Sequence, residues 1–159
     1  MPKAETTFRP IGDSDKKMHG TSAVVISGFS AEEQTALHAH LPQWGMQDIP
    51  LVTIAAATLS LTLAEATALP DKTNFGQTPE LPRAVVMSGL KEYQLNNLMR
   101  GYRELGLTRP LWASVTAHSE AWTVKYLLVE LLKEREAMRQ AMEAEQARKT
   151  ASADTPSIP

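Results

Sequence analysis

The 159-residue sequence contains no cysteine, which excludes disulfides, thiol catalysis and cysteine-ligated metal or iron–sulfur sites. Aromatic residues make up only 6%, and the apolar runs lack the pattern of stacked rings found in RNA-binding sheets. The formal net charge of −2 lacks the basic excess that broad nucleic-acid binding requires. The composition therefore does not favour nucleic acid as a partner, whereas 43% hydrophobic residues are enough for a packed core.

The chain also lacks targeting and catalytic motifs. Its first 20 residues have no apolar stretch typical of a signal peptide, so we predict a cytoplasmic protein. The apolar stretch 49–69 contains Pro50, Ser60 and Glu65 and is a poor membrane span. No H-E-x-x-H, G-x-S-x-G or G-K-[ST] motif occurs. We predict no catalytic residue, metal or cofactor. The sequence leaves enzymatic activity open but favours a protein that is not an enzyme.

Two short stretches of the sequence are nearly identical, AVVISG at 23–28 and AVVMSG at 84–89. They lie 61 residues apart, and the same offset pairs Leu37 with Leu98, Gly45 with Gly106 and Thr62 with Thr123. Pro50-Leu51 matches Pro110-Leu111 if the offset falls to 60 for a short stretch. This ordered series predicts an internal repeat.

Each copy has the pattern of strand, helix, strand, helix. Apolar runs at 23–27 and 84–88 predict buried strands, and Ser30 with Glu33 predicts the capping box of the helix that follows. Second strands are expected at about 51–57 and 111–116. A short helix that ends at Pro70 follows in the first copy, and a long one from about Ala121 to Lys149 in the second.

These elements predict an α/β fold built as a tandem β-α-β-α duplication. We expect a four-stranded, mainly parallel sheet packed by helices, with a long C-terminal helix; the sequence leaves the strand order open. The expected boundaries are a disordered tail at 1–21, the first repeat at 22–70, a linker at 71–83, the second repeat with its extended helix at 84–149, and a disordered tail at 150–159.

The end of the long helix has a sparse apolar face that contains Met138 and Met142. One interpretation is a solvated extension of the helix. The other is a face that pairs with a second copy of the chain and gives a homo-oligomer.

The second copy resembles a small prokaryotic family, the domain of unknown function 3783. The resemblance rests on Pro110, Thr116, Trp122-Thr123 and a Leu- and Glu-rich helix through Glu136; Ser119 stands where the family pattern has an Asn-like residue. It covers about 84–136, and it extends to 23–69 through the repeat. The resemblance implies a compact bacterial or archaeal domain without established chemistry.

Candidate ligand-binding residues follow from the expected sheet. Ligands of parallel α/β sheets lie at the carboxyl ends of the strands, where we place Ser27, Gly28, Ser88, Gly89, Thr116 and His118. Each Ser-Gly step leads into a helix N-terminus that could hold an anion. The alternative is that glycine serves only a tight turn. His118 and Trp122 could flank a pocket with Thr116, or Trp122 could be a core anchor beside an exposed His118.

The preferred function is a non-enzymatic binding or regulatory module whose pocket lies between the two copies. Its partner would be an unknown protein or a small ligand. The first alternative is a small enzyme or a nucleotide or metabolite binder that uses the carboxyl edge of the sheet. The second alternative is a structural protein that self-associates through its C-terminal helix.

Overall fold

The computed structural model describes residues 16–154. Its strands are β1 (Ala23–Ser27), β2 (Leu51–Thr53), β3 (Ala84–Ser88) and β4 (Leu111–Ser114), and its α-helices are α1 (Ala31–His40), α2 (Leu63–Ala66), α3 (Glu92–Glu104) and α4 (Val124–Asp154). The predicted α/β fold with one four-stranded, mostly parallel sheet and a long C-terminal helix is confirmed. Within residues 16–154, no helix has both the length and the apolar character to span a membrane.

The strand order is β2-β1-β3-β4. β1 pairs with β2 and β3 pairs with β4 in parallel, whereas the central pair β1–β3 is antiparallel. The centre of that pair is Val25 opposite Val86, and these residues are 61 apart. The two halves of the sheet are therefore related by a local two-fold axis through this pair.

The same offset holds in the outer strands. Val24 lies opposite Leu51, and Val85 lies opposite Trp112, so that each member of the second pair follows its counterpart by 61 residues. The predicted fall of the offset to 60 is therefore wrong in the structure. The Pro-Leu identity between the halves led to the wrong alignment, because Leu51 corresponds in space to Trp112 and not to Leu111.

A second contact between the halves obeys the same symmetry. Thr62 and Thr123 form an antiparallel bridge, flanked by hydrogen bonds from Leu63 N–H to Trp122 O and from Val124 N–H to Leu61 O, both 2.8 Å long. The correspondence of the halves is thus a property of the structure. Their origin in a duplicated sequence stays a prediction.

Local signals set the helix ends in the first half. The Ser30 side chain caps α1 and Glu33 returns a hydrogen bond to the Ser30 N–H, as the capping box predicts. Pro42 converts the chain after α1 to a 3₁₀ turn over Leu41–Trp44, which ends at Gly45 with φ +80°. The second strands are shorter than expected, and the long helix begins at Val124 rather than Ala121.

The sheet is buried on both faces. Alternate residues of the central strands face different helices: Val24, Ile26, Val85 and Met87 join the core with α1 and α3, while Val25 and Val86 join the core with α2 and α4. The result is a helix layer on each side of the sheet. The interface between the halves is filled by these side chains, and the grooves described below lie elsewhere.

The chain ends differ from the expected tails within the described residues. Residues 16–20 lie against the start of α3, with hydrogen bonds from Met18 N–H to Leu90 O and from Glu92 N–H to Lys16 O. At the other end α4 continues to Asp154. Residues 1–15 and 155–159, which belong to the predicted tails, lie outside the described part of the chain.

An ion pair ties α1 to the start of β3. Arg83 donates to both carboxylate oxygens of Glu33, at 2.9 and 3.1 Å, and lies over the ring of Phe29 at 4.4 Å. Burial alone would raise the pKa of Glu33, but the Ser30 N–H and Arg83 lower that pKa below its ordinary value. The folded state therefore favours the ionised carboxylate.

We predict that Glu33→Gln destabilises the protein by about 1–3 kcal/mol at pH 7. Glutamine keeps the capping box and removes only the charge. A lowered folded-state pKa gives stability above the ordinary pKa of 4.5 that is lost as the pH falls further. Urea unfolding should therefore show the gap between wild type and variant closing below about pH 4.5.

Glu65→Gln is the matched control, because Glu65 serves the capping box of Thr62. It should cost only a few tenths of a kcal/mol at pH 7. A gap for Glu33→Gln that stays constant down to pH 3.5 would contradict the ion-pair account.

Candidate functional site

The two Ser-Gly steps lie at opposite ends of the central strand pair. Because β1 and β3 are antiparallel, Ser27 pairs with Ala84 at the start of β3, and Ser88 pairs with Ala23 at the start of β1. The expectation that these residues converge with Thr116 and His118 on one carboxyl edge is therefore wrong. It assumed that the first strands of the two halves run in the same direction.

Backbone from other parts of the same chain packs closely against each Ser-Gly step. A Cβ on Gly28, which has φ +78°, would lie 2.7 Å from Leu81 O, and a Cβ on Gly89 would lie 2.3 Å from Gly20 O. Ser27 Oγ donates to Pro82 O at 2.8 Å. Within residues 16–154, Ser88 Oγ is buried without a hydrogen-bond partner, and it lies only 2.4 Å from where a Cβ of Gly20 would lie. Close backbone approach therefore explains both glycines without a ligand.

The helix N-termini after these steps are also engaged. The N–H of Glu33 donates to Ser30 Oγ, and the N–H of Glu92 donates to Lys16 O. Two acidic residues, Glu32 and Glu33, occupy the first turn of α1 and would repel an anion. Anion binding at these positions stays a prediction that these contacts do not favour.

Thr116 belongs to a tight turn after β4. Its N–H donates to Ser119 Oγ at 3.0 Å, and the N–H of Ser119 donates to Thr116 Oγ1 at 3.1 Å. The first half repeats the first of these bonds, from Ala55 N–H to Thr58 Oγ1 at 3.1 Å. Ser119 is buried and acts in the fold of this turn.

His118 and Trp122 meet in the loop before α4. Their rings make an edge-to-face contact at 5.6 Å, and Trp122 makes a second one with Tyr126 at 4.9 Å. Trp122 packs partly against the core, whereas His118 is exposed. The structure thus brings together Thr116, His118 and Trp122 and separates them from Ser27 and Gly28.

The other histidines of α1 take separate partners. His38 Nε2 lies 2.9 Å from Asp71, while His40 stacks on Trp44 with ring centroids 5.7 Å apart. Across the described residues, no three potential metal ligands of the His, Cys, Asp and Glu types come together.

The outer edge of β2 is covered by residues 71–76, here termed the covering segment. Lys72 N–H donates to Leu51 O and Thr53 N–H donates to Thr73 O. The remaining two outward groups are also satisfied, because Leu51 N–H donates to the Asp71 carboxylate and Thr53 O accepts from Asn74 Nδ2. All four outward-facing backbone groups of β2 therefore have partners.

A buried glutamine holds the covering segment in place. Gln34 on α1 is fully buried, accepts from Gly76 N–H at 2.7 Å and donates to Gln77 O at 2.9 Å.

Asp71 holds the other end of the covering segment. Burial alone would raise the pKa of Asp71, but the Leu51 N–H and His38 lower that pKa below its ordinary value. The segment is thus anchored at both of its ends.

Within residues 16–154, the equivalent edge of β4 is open. The bonds from Leu111 N–H to Arg83 O and from Val115 N–H to Met87 O face β3, so alternation turns the backbone groups of Trp112 and Ser114 outward. These residues correspond to Leu51 and Thr53. Among the described residues, the N–H and C=O groups of Trp112 and Ser114 have no hydrogen-bond partner. We call these four groups the free edge of β4.

A groove lies on each side of the free edge. The α3-side groove, of about 590 Å³, is lined by Asn96, Met99, Tyr102, Arg103, Leu107, Arg109, Pro110 and Trp112. The α4-side groove, of about 430 Å³, is lined by Arg109, Pro110, Leu111, Trp112, Leu131, Glu134, Arg135, Met138, Arg139 and Met142. An unpaired strand edge beside grooves lined by both apolar and charged side chains is suited to bind a polypeptide segment.

The sequence holds two signals for this edge that a residue-by-residue comparison of the halves would have found. In the first half the chain turns back over β2 at Pro70. In the second half the equivalent residue is Leu131, and the helix continues past it. The position of Gln34 is taken by Leu95 in the second half, which offers no hydrogen bond to a covering segment. The second half thus lacks both the proline that ends the helix and the glutamine that holds the covering segment.

The comparisons with known proteins identify one family. Residues 83–138 match the family of the Domain of unknown function (DUF3783). The resemblance predicted for the second half is confirmed, and the DUF3783 match spans β3, α3, β4 and the first half of α4, including the free edge. No curated protein and no solved structure matches the chain.

We predict that Gly28→Ala destabilises the protein much more than Gly106→Ala. Both glycines have positive φ, at +78° and +74°, but a Cβ on Gly106 would meet no atom within 4 Å. Gly106→Ala should cost about 1–2 kcal/mol of backbone strain, and Gly28→Ala should add about 1–3 kcal/mol from the backbone clash. Urea unfolding of both variants measures the difference, and equal costs would refute the close-approach explanation.

Proposed function

We propose that the chain is a binding module rather than an enzyme, and that it binds a polypeptide segment along the free edge of β4. The observation that carries the proposal is the contrast between the two edges. Equivalent backbone groups have partners at Leu51 and Thr53, whereas those at Trp112 and Ser114 have none in the part of the chain that the structure describes. A strand added at this edge would pair with these groups, as in other proteins that recognise peptides by strand addition.

The grooves support the same proposal. Successive side chains of an added strand alternate between the two faces of the sheet, and a groove lies beside β4 on each face. Backbone pairing would supply affinity, and the grooves would supply specificity. The DUF3783 match covers this part of the chain, which makes the surface a property to test in that family.

The test removes one outward N–H of β4. Ser114→Pro lacks that N–H, and proline is tolerated in an edge strand whose N–H faces solvent. Peptides selected from a library of unstructured octapeptides should bind wild type and lose at least about tenfold in affinity for Ser114→Pro. The selected peptides should also shift the amide resonances of Trp112 and Ser114.

Ser114→Ala is the matched control, because it keeps the N–H and removes only the hydroxyl; its affinity should equal that of wild type. Thermal unfolding of both variants verifies that the fold is retained. Selected peptides that bind Ser114→Pro as well as wild type would rule out strand addition at this edge.

The exposed face of α4 supports a second candidate function, self-association. Met138 and Met142 are 65% and 69% exposed, and both line the α4-side groove. Large apolar side chains one turn apart on an exposed helix are typical of a helix-pairing face. This proposal concerns a different surface from the free edge, although the two adjoin.

We predict that a double variant, Met138→Lys with Met142→Lys, reduces the mass of a self-associated chain to that of a monomer. A chain that ends at Lys133 should do the same, since it lacks the whole face. Light scattering measures the mass. Gln140→Lys, on the opposite side of the helix, is the control and should leave the mass unchanged; a monomeric wild type at about 1 mM chain would exclude the idea.

A further inference from the structure

The charge of the α3-side groove limits what the free edge of β4 can bind. Arg103 and Arg109 line this groove, and both are exposed. Among the described residues that line it, none is a carboxylate. Two guanidinium groups without an acidic neighbour in the groove favour an anionic side chain on a bound segment.

The covering segment of the first half shows which kinds of group meet such an edge, although it follows consecutive turns with Lys72 and Asn74 at positive φ. Asp71 accepts a hydrogen bond from the first outward N–H of β2, that of Leu51. Four residues later, Phe75 packs edge-to-face on His38 at 5.6 Å. The acidic residue lies at the start of the edge, and the aromatic ring lies on the helix of the same face.

These contacts map onto the second half at the constant offset of 61. Leu51 corresponds to Trp112, whose N–H has no partner among residues 16–154, and His38 corresponds to Met99, which lines the α3-side groove. A thioether makes favourable contacts with an aromatic ring. Met99 can therefore receive an aromatic side chain at the place where Phe75 meets His38.

We propose that the free edge of β4 binds an extended acidic segment of another protein, in which the acidic residue and an aromatic residue lie on the same face. The backbone of the segment pairs with the Trp112 and Ser114 groups, its carboxylate pairs with Arg109 or Arg103, and its aromatic ring packs on Met99. In an extended strand, residues an even number of positions apart face the same side, which here is the α3 side. The inference rests on the proposed function and adds the chemistry of the partner.

The probe is the capped peptide acetyl-SDTVTFTS-amide, whose aspartate and phenylalanine face the same side of an extended strand and whose β-branched residues favour a strand. It should bind the full chain, with a dissociation constant below about 1 mM, and shift the Trp112 amide resonance. Lysine in place of the aspartate, or serine in place of the phenylalanine, should each weaken binding by about tenfold. A higher salt concentration should lower the affinity of the protein for the aspartate peptide.

Protein variants assign each contact. Met99→Ala should remove the preference for phenylalanine over serine, and Arg109→Ala combined with Arg103→Ala should remove the preference for aspartate over lysine. Arg100→Ala, at an exposed position of α3 outside the lining of both grooves, is the matched control and should change neither preference. Equal affinity of the aspartate and lysine peptides for wild type, or no binding of the aspartate peptide at about 1 mM, overturns the inference.

The two proposals fail separately. If library-selected peptides depend on the Ser114 N–H but carry neither the acidic nor the aromatic residue, the partner chemistry is wrong and strand addition stands. If no selected peptide depends on that N–H, strand addition itself is wrong.

Discussion

The antiparallel pairing of β1 with β3 determines the rest of the architecture. Because Val25 lies opposite Val86, each half places its second strand on the outside, and the sheet acquires two equivalent outer edges. The same pairing sends the carboxyl ends of β1 and β3 to opposite sides. A single carboxyl edge lined by residues of both halves, as in a wholly parallel sheet, cannot form. The strand edges without a neighbouring strand are therefore those of β2 and β4.

The two outer edges differ because the chain leaves the second helix of each half differently. α2 has four residues and is followed by Pro70, so the chain returns across β2. α4 has 31 residues and carries the chain away from β4. Gln34 stabilises the return in the first half through hydrogen bonds to Gly76 and Gln77. One difference in helix length thus produces one closed edge and one open edge in a nearly symmetric sheet.

Local signals in the sequence predict local structure well. The capping box of Ser30 with Glu33 depends on residues close in sequence, and it occurs as expected. The direction of β3 relative to β1 depends on contacts across the whole sheet. Both strands are buried at every position, so the sequence offers no alternation of polar and apolar residues that would limit how they pair.

The candidate site was harder to predict for a related reason. Ser27, Ser88, Thr116 and His118 carry recognisable side-chain chemistry, whereas the free edge consists of backbone groups. Backbone hydrogen bonding has no sequence signature of its own, and it becomes visible only when the partner of each group is traced. For this chain the informative comparison is between the backbone groups of Leu51 and Trp112, which occupy equivalent places in the sheet.

An open strand edge is a hazard for a folded protein, because it can pair with any other exposed strand. Several features of β4 limit that hazard. The strand has only four residues, Pro110 precedes it, and the exposed Arg109 lies at its start; short strands, prolines and charges are the usual protection against indiscriminate pairing. Covering the edge, as the first half does, would protect it more completely. Within residues 16–154, the edge of β4 is protected by positive charge and by its short length but is left uncovered. Such an edge is suited to pair with a segment of negative charge, while it repels segments of positive charge.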